Sequence, residues 1–221
     1  ERQMCIRDSS HQVKKHFLII MRAFIEKPRT QFGWKGFLYD PFLDGSYAVE
    51  AGLKRSRKLL LNLTKLGIPI AIEFLDPFTP SYLQDLITWG FIGARTSPSQ
   101  IHRQMASYLP MPIGFKNEID GTYDYAIHGA LSARHPQASI GINDQGLVSL
   151  INSSGNPYTH LVLRGAFDHT NYDPFSVREA LHKQRLFGMD SRLIIDCAHG
   201  NSQKDHTKQS HVFNSVLSQI E

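Results

Sequence analysis

Apolar positions along this chain come in short blocks, and the stretches between them carry a helical period. Residues 17–25 form an apolar run long enough for a buried strand, interrupted by Arg22. Pro28 cannot donate to a strand ladder, so this strand is predicted to end near Glu26. A turn-rich loop, Asp40-Pro41-Phe42-Leu43-Asp44-Gly45-Ser46, comes next. Residues 49–66 then predict a helix, with Leu53, Leu59, Leu60, Leu63 and Leu66 on one stripe. Lys54, Arg55, Arg57 and Lys58 fill its solvated face, and Gly67 follows as a terminating residue.

The same alternation continues to the end of the chain. Short strands are expected at 69–75, 91–95, 111–115, 160–163 and 192–197. Helices are expected from Pro80, capped by Thr79, to Trp89, and from Pro98, capped by Ser97, to Leu109. Further helices are expected at 121–133, 174–187 and 202–220. Residues 139–156, with turns at Asn143-Asp144 and Ser154-Gly155-Asn156, read as a strand with an added hairpin.

Short strands alternating with longer helices predict βα units and a parallel sheet. An open doubly wound sheet calls for a glycine-rich phosphate loop after its first strand, and neither G-x-G-x-x-G nor a P-loop occurs. A (β/α)8 TIM barrel takes about 250 residues and keeps its chemistry at the C-terminal ends of its strands. Six main strands in 221 residues fit an incomplete α/β barrel, about strands 2 to 7, with an inserted β-hairpin. Residues 1–16 read as a non-native or disordered leader and 17–221 as the partial barrel domain.

Composition narrows the choice of ligand. Net charge is +4, but the basic residues recur singly at the ends of apolar segments rather than in runs. That distribution favours a small anion over nucleic acid. Cys5 and Cys197 are far apart and in no metal-binding spacing, so a reducing, cytoplasmic setting is expected. No apolar run approaches the ~20 residues of a membrane span.

The residues at or just past the strand ends are Arg22 with Lys27 and Arg29, then Glu73, Arg95, Lys116, Arg164 and His199. The segment from Arg22 to Gly36 reads either as a solvated basic loop or as an anion site, where Lys gives a point charge and Arg a planar fork. On a barrel these side chains converge on one mouth. Six cations with one acid would repel one another unless anions sat between them. His199 suits metal ligation or proton transfer, or else a structural role beside its strand. Asp40 and Asp44 read as turn formers, and Cys197 as a packing thiol.

Five motifs carry a resemblance: Glu26-Lys27-Pro28-Arg29-Thr30 with Gly33-Trp34-Lys35-Gly36; Glu73-Phe74-Leu75-Asp76; Gly93-Ala94-Arg95-Thr96; Gly114-Phe115-Lys116-Asn117; and Leu163-Arg164-Gly165. Together they make the chain resemble type I 3-deoxy-D-arabino-heptulosonate 7-phosphate (DAHP) synthase, from about Phe17 onward. The resemblance implies a transferase that condenses phosphoenolpyruvate with erythrose 4-phosphate in the shikimate pathway. It implies Arg22, Lys27, Glu73, Ala94, Arg95, Lys116 and Arg164 as phosphoenolpyruvate contacts. Lys27, Pro28, Arg29 and Thr30 would hold erythrose 4-phosphate. His199 would be a catalytic metal ligand, for a divalent ion such as Mn, Fe, Co or Zn, and Lys27 a proton donor. The family also implies a homodimer or homotetramer and an aromatic amino acid effector.

The chain departs from the family pattern in places. The family's G-P-C-S-I-H-D segment and its metal-ligand Glu and Asp are not found, so a fragment, itself inactive, is expected. Asn117-Glu118-Ile119-Asp120 differs from the usual F-K-N-G-T-D run, and Asp196 to Asn201 differs from D-x-S-H-A-N. Two alternatives stand beside the main reading. One is a related synthase such as KDO 8-phosphate synthase, against which the Lys27 to Thr30 context and Trp34 argue. The other is a non-catalytic barrel remnant that binds phosphorylated ligands.

Overall fold

The computed structural model describes residues 16–28, 32–143 and 145–220. The expected leader, 1–16, lies outside the described residues except for His16. The chain divides into two compact units, 1–91 and 92–221, and passes from one to the other within a strand.

The first unit contains β1 (Met21–Arg22), α1 (Val49–Lys65), β2 (Ile70–Glu73), α2 (Pro80–Leu83) and most of β3 (Trp89–Ile92). β2 lies between β1 and β3, parallel to both, with Met21 opposite Ile70 and Glu73 opposite Phe91. Every residue of β2 is buried, which explains its continuous apolar run. Helix α1 starts and ends as its sequence predicts, with Gly67 just beyond at φ +71°. Its buried stripe is Gly52, Ser56, Leu60 and Leu63, leaving Leu53 and Leu59 half-buried. The N-terminal half of the helix presses so closely on the backbone of Leu38 that only small residues fit there.

Three expectations in this unit need correction. The strand expected at 17–25 pairs only over Met21–Arg22, opposite Ile70 and Ala71: β2 begins at Ile70, so residues 17–20 precede it, and the chain bends at Ile25–Glu26. The helix expected to reach Trp89 ends at Leu83 and tightens into a 3-10 turn, Gln84–Leu86. Trp89 instead opens β3, drawn into register opposite Ala71. Thr79 adopts helical dihedrals and makes no side-chain cap bond. Its hydroxyl is hydrogen-bonded to the buried Glu26 carboxylate.

The second unit contains α3 (Gln100–Tyr108), β4 (Ile113–Lys116), α4 (Asp124–Ala133), β5 (Gln137–Ile142), β6 (Val148–Ser153), β7 (His160–Leu163), α5 (Pro174–Leu186), β8 (Leu193–Ile195) and α6 (Gln209–Leu217). Its parallel strands run in the order β4-β7-β8. Both β5 and β6 lie outside that sheet and pair antiparallel with each other, Gln137 opposite Ser153 and Ile142 opposite Val148. Helix α4 packs on β4 and β7, burying Ala126, Ile127, Ala130 and Ala133. Helix α5 begins at a Pro, and the Asp173 carboxylate before it accepts the backbone N–H groups of Phe175 and Ser176.

Ser97 does not cap a helix, because α3 starts only after Ser99. Its hydroxyl is engaged by the carbonyls of Lys116 (2.7 Å) and Gly93 (3.1 Å). The last helix begins at Gln209 rather than Ser202. His199, Gln203 and Lys204 all take positive φ, which breaks helical propagation. The architecture is therefore parallel-stranded α/β, as the alternation predicts.

Candidate active site

In the first unit, β1 and β2 end side by side, and this brings Arg22 to Glu73: Nη2 donates to Oε2 at 3.3 Å. The Arg22 guanidinium also lies 4.3 Å from the centroid of the Phe24 ring and 4.7 Å from that of Phe91. Lys27 Nζ approaches the Phe24 ring as well, at 4.8 Å. Aromatic faces hold cations without neutralising their charge, whereas the Glu73 carboxylate offsets part of the charge of Arg22.

The loop carrying Lys27 is folded back on itself. The Lys27 N–H donates to the carbonyl of Lys35 (2.9 Å), and the Trp34 indole donates to the carbonyl of Asp40 (2.8 Å). Gly36 sits at φ +113° against the backbone of Ile25 and Glu26, where a side chain would clash. Beneath the loop, Glu26 is 2% exposed and accepts the N–H groups of Leu75 (3.3 Å) and Asp76 (3.1 Å). Burial outweighs those bonds and raises its pKa to about 7. Tyr39 donates to Asp76 at 2.9 Å; burial and that carboxylate push the phenol well above its ordinary range. A cavity of about 430 Å3 opens here, lined by Lys27, Pro28, Gly33, Lys35, Tyr39 and Tyr47 among others. Arg29 and Thr30 lie outside the described residues. Asp40 acts as a turn former, its carboxylate accepting the N–H groups of Asp44 and Gly45.

In the second unit, the ends of β4, β7 and β8 bring Lys116, Arg164 and Asp196 together. Lys116 and Arg164 are buried at 6% and 8% exposure, while Arg95, after β3, is exposed. Ala94 is half-buried beside it. Lys116 Nζ donates to Asp196 Oδ2 at 2.7 Å. Burial alone would raise the Asp196 pKa, but His199 and the Lys116 ammonium hold it well below the usual carboxylate range. Among the described residues, Arg164 forms no ion pair with any carboxylate. Burial followed by the nearby charge of Arg95 lowers its pKa, partly offset by Asp196. Its guanidinium stays charged regardless. A buried Arg with no ion pair among the described residues, beside a second Arg and a Lys, has the chemistry that suits an anion with several oxygens.

His199 stands at φ +53°, a strained conformation for a residue other than glycine, and strain of this kind collects at functional positions. Its Nδ1 lies 2.9 Å from Asp196 Oδ2, an ion-pair contact off the line of a good hydrogen bond. A carboxylate against one ring nitrogen orients the other for a metal. His199 therefore fits as one metal ligand. Among the described residues, no three His, Cys, Asp or Glu side chains converge as a metal centre. Cys197 has a free thiol whose pKa is raised by burial and by Asp196, the state of an inert thiol.

The sequence profile described as the DAHP synthetase I family matches residues 2–221. This chain belongs to that family. It is 47% identical over 209 residues to a Tyr-sensitive phospho-2-dehydro-3-deoxyheptonate aldolase of Escherichia coli (strain K12), covering 95% of this chain and 58% of the relative. It is 43% identical over 210 residues to the Trp-sensitive protein of the same organism, covering 95% and 60%. The structure of a phospho-2-dehydro-3-deoxyheptonate aldolase from Francisella tularensis SCHU S4 superposes with a TM-score of 0.96 at 42% identity, covering 99% of this chain and 64% of that one. The chain thus spans a little over half the length of these curated relatives.

Some residues of the two clusters were not singled out in the sequence. Asp196 stands at a strand end like the cations it serves, and that position was a usable signal. Glu26 shows burial only in three dimensions. Glu118 is buried just past Lys116, and burial raises its pKa to about 7. The buried Asn117, Asn171 and Asn201 leave no periodic trace.

Proposed function

We propose that this chain is part of a 3-deoxy-7-phosphoheptulonate synthase, a transferase that condenses phosphoenolpyruvate with D-erythrose 4-phosphate to give DAHP and phosphate. The observation that carries the reading is the cluster of Arg95, Lys116 and Arg164, with Lys116 and Arg164 buried and Asp196 paired to Lys116. Family membership supports it. On this reading the parallel strands are about strands 2 to 7 of a (β/α)8 barrel, and β5–β6 is its inserted hairpin.

Arg95, Lys116 and Arg164 hold the phosphate and carboxylate of phosphoenolpyruvate. In the first unit, Arg22 and Lys27 are basic contacts, Glu73 fixes Arg22, and the Lys27-Pro28-Arg29-Thr30 element takes the phosphate of the aldose. Carbon 3 of the enol phosphate attacks the aldehyde carbon, forming the new C–C bond. The aldehyde oxygen takes a proton, for which Lys27 is the donor. Water adds at carbon 2, and phosphate leaves. Fixed cations stabilise the charge that moves during these steps and keep the two phosphates in register. A bound divalent metal, with His199 as one ligand, would supply Lewis-acid polarisation of the aldehyde.

The enzyme is read as a cytoplasmic homodimer or homotetramer. Relatives whose names call them Tyr-sensitive and Trp-sensitive support an aromatic amino acid as effector. No described helix is long and apolar enough to cross a membrane.

The test has two parts. Calorimetric titration of the 221-residue chain with phosphoenolpyruvate should show saturable binding that Arg164→Ala weakens by at least about tenfold. The protein expressed from its complete source gene should release phosphate only when both substrates and a divalent ion are present. Phosphate release without erythrose 4-phosphate, or binding untouched by Arg164→Ala, would overturn the assignment.

A further inference from the structure

We infer that Asn117, Asn171 and Asn201 form a belt that positions Arg164 for the anion it holds. The three residues come from different places: Asn117 directly after β4, Asn171 in the segment after β7, and Asn201 after β8. All are buried, at 0%, 5% and 3% exposure. Side-chain amides so placed must find partners, and these find one another, one shared stretch of backbone and the carbonyls of Glu118 and Asp196.

That stretch is Leu163-Arg164-Gly165, where β7 ends at Leu163, whose carbonyl still accepts the Asp196 N–H (2.7 Å). The Leu163 carbonyl accepts from Asn201 Nδ2 (3.3 Å). The Arg164 N–H donates to Asn117 Oδ1 (2.7 Å), and the Arg164 carbonyl accepts from the Asn201 N–H (3.2 Å). The Gly165 N–H donates to Asn171 Oδ1 (2.7 Å), and the Gly165 carbonyl accepts from Asn117 Nδ2 (3.2 Å). The asparagines are also linked to each other. Asn171 Nδ2 donates to Asn117 Oδ1 (3.2 Å), and the Asn171 N–H donates to Asn201 Oδ1 (2.9 Å). Asn201 Nδ2 reaches the Asp196 carbonyl as well (3.0 Å), tying the end of β8 to the same belt.

A strand end could satisfy its backbone more simply, through water. What sets this one apart is the side chain it carries. Among the described residues, the guanidinium of Arg164 makes one long bond, Nη1 to the Gly165 carbonyl at 3.3 Å, and no ion pair. Its direction therefore depends on the backbone from which it springs, and the belt fixes that backbone on both sides of Arg164. A binding group held this way needs no reordering when the anion arrives.

The inference rests on reading Arg164 as a phosphoenolpyruvate contact, and the test separates the two. Phosphoenolpyruvate affinity and thermal stability are measured on the 221-residue chain for wild type, Arg164→Ala, Asn171→Ala and Asn156→Ala. Asn156 is a buried asparagine outside the belt, whose Nδ2 donates to the carbonyls of Ala106, Leu109 and Met111. It reports what the loss of any buried amide does. The expected result is that Asn171→Ala binds at least about tenfold more weakly, while Asn156→Ala loses stability but binds within about twofold of wild type. If Arg164→Ala weakens binding and Asn171→Ala does not, the belt is structural only and the inference falls. If Arg164→Ala binds as wild type does, the reading of the site falls with it. Should Asn171→Ala not fold, Asn171→Ser takes its place; if neither folds, the belt is a stability element and the inference is overturned.

Discussion

Lys116 Nζ and Asp196 Oδ2 lie 2.7 Å apart, and this pair joins the ends of β4 and β8, which do not neighbour each other in the sheet. The same carboxylate oxygen touches His199. Asp196 therefore contacts both Lys116, a proposed phosphoenolpyruvate contact, and His199, the candidate metal ligand.

Asp196→Asn should leave the Lys116 ammonium buried without its anion, at a cost of about 3–5 kcal/mol. Urea denaturation would measure it. Added phosphate should restore more stability to the variant than to wild type, because the anion then replaces the lost charge. Equal phosphate effects on both proteins would show that Lys116 does not face the anion site.

Stability should depend on pH through Glu26. Its pKa rises from 4.5 to about 7 on folding, so between those values the native state binds more protons than the unfolded chain. The contribution of Glu26 is then largest at low pH and is lost as pH rises, by about 3 kcal/mol in all, levelling above the folded pKa. Glu118 contributes in the same sense. In Glu26→Gln the fall in stability between pH 5 and 7 should be smaller than in wild type by the share of Glu26; an unchanged slope would contradict the assignment.

Asp173→Ala removes the cap of α5, whose carboxylate serves the N–H groups of Phe175 and Ser176 and the Ser176 hydroxyl. The expected loss is about 1 kcal/mol. Because Asp173 lies outside the belt, phosphoenolpyruvate affinity should stay as in wild type.

Gly165→Ala should be far more damaging. Gly165 has φ +74°, and a Cβ there would lie 2.4 Å from the Asn201 nitrogen. The left-handed conformation costs roughly 1–2 kcal/mol, and relieving the clash about 1–3 more. A melting temperature close to wild type would mean that the belt can move aside, and the positioning argument would weaken accordingly.

The sequence by itself determined the elements with strong local signals. Residues 49–65 and 174–186 show helical period with clear ends, and 160–163 is an apolar block between polar turns. It also determined where the cations stand, since Lys116 and Arg164 each follow an apolar run and Arg22 interrupts one. The extent of β1 and the start of β3 depended on which residues of β2 were available as partners, which no local pattern encodes. Ser97 and Thr79 look like caps in sequence, yet their hydroxyls are taken by a distant carbonyl and a buried carboxylate. The pairing of Lys116 with Asp196 and the asparagine belt join residues far apart along the chain. Amides and carboxylates acquire such roles only when folding removes water and leaves them one another as partners. Tertiary structure alone decided those contacts.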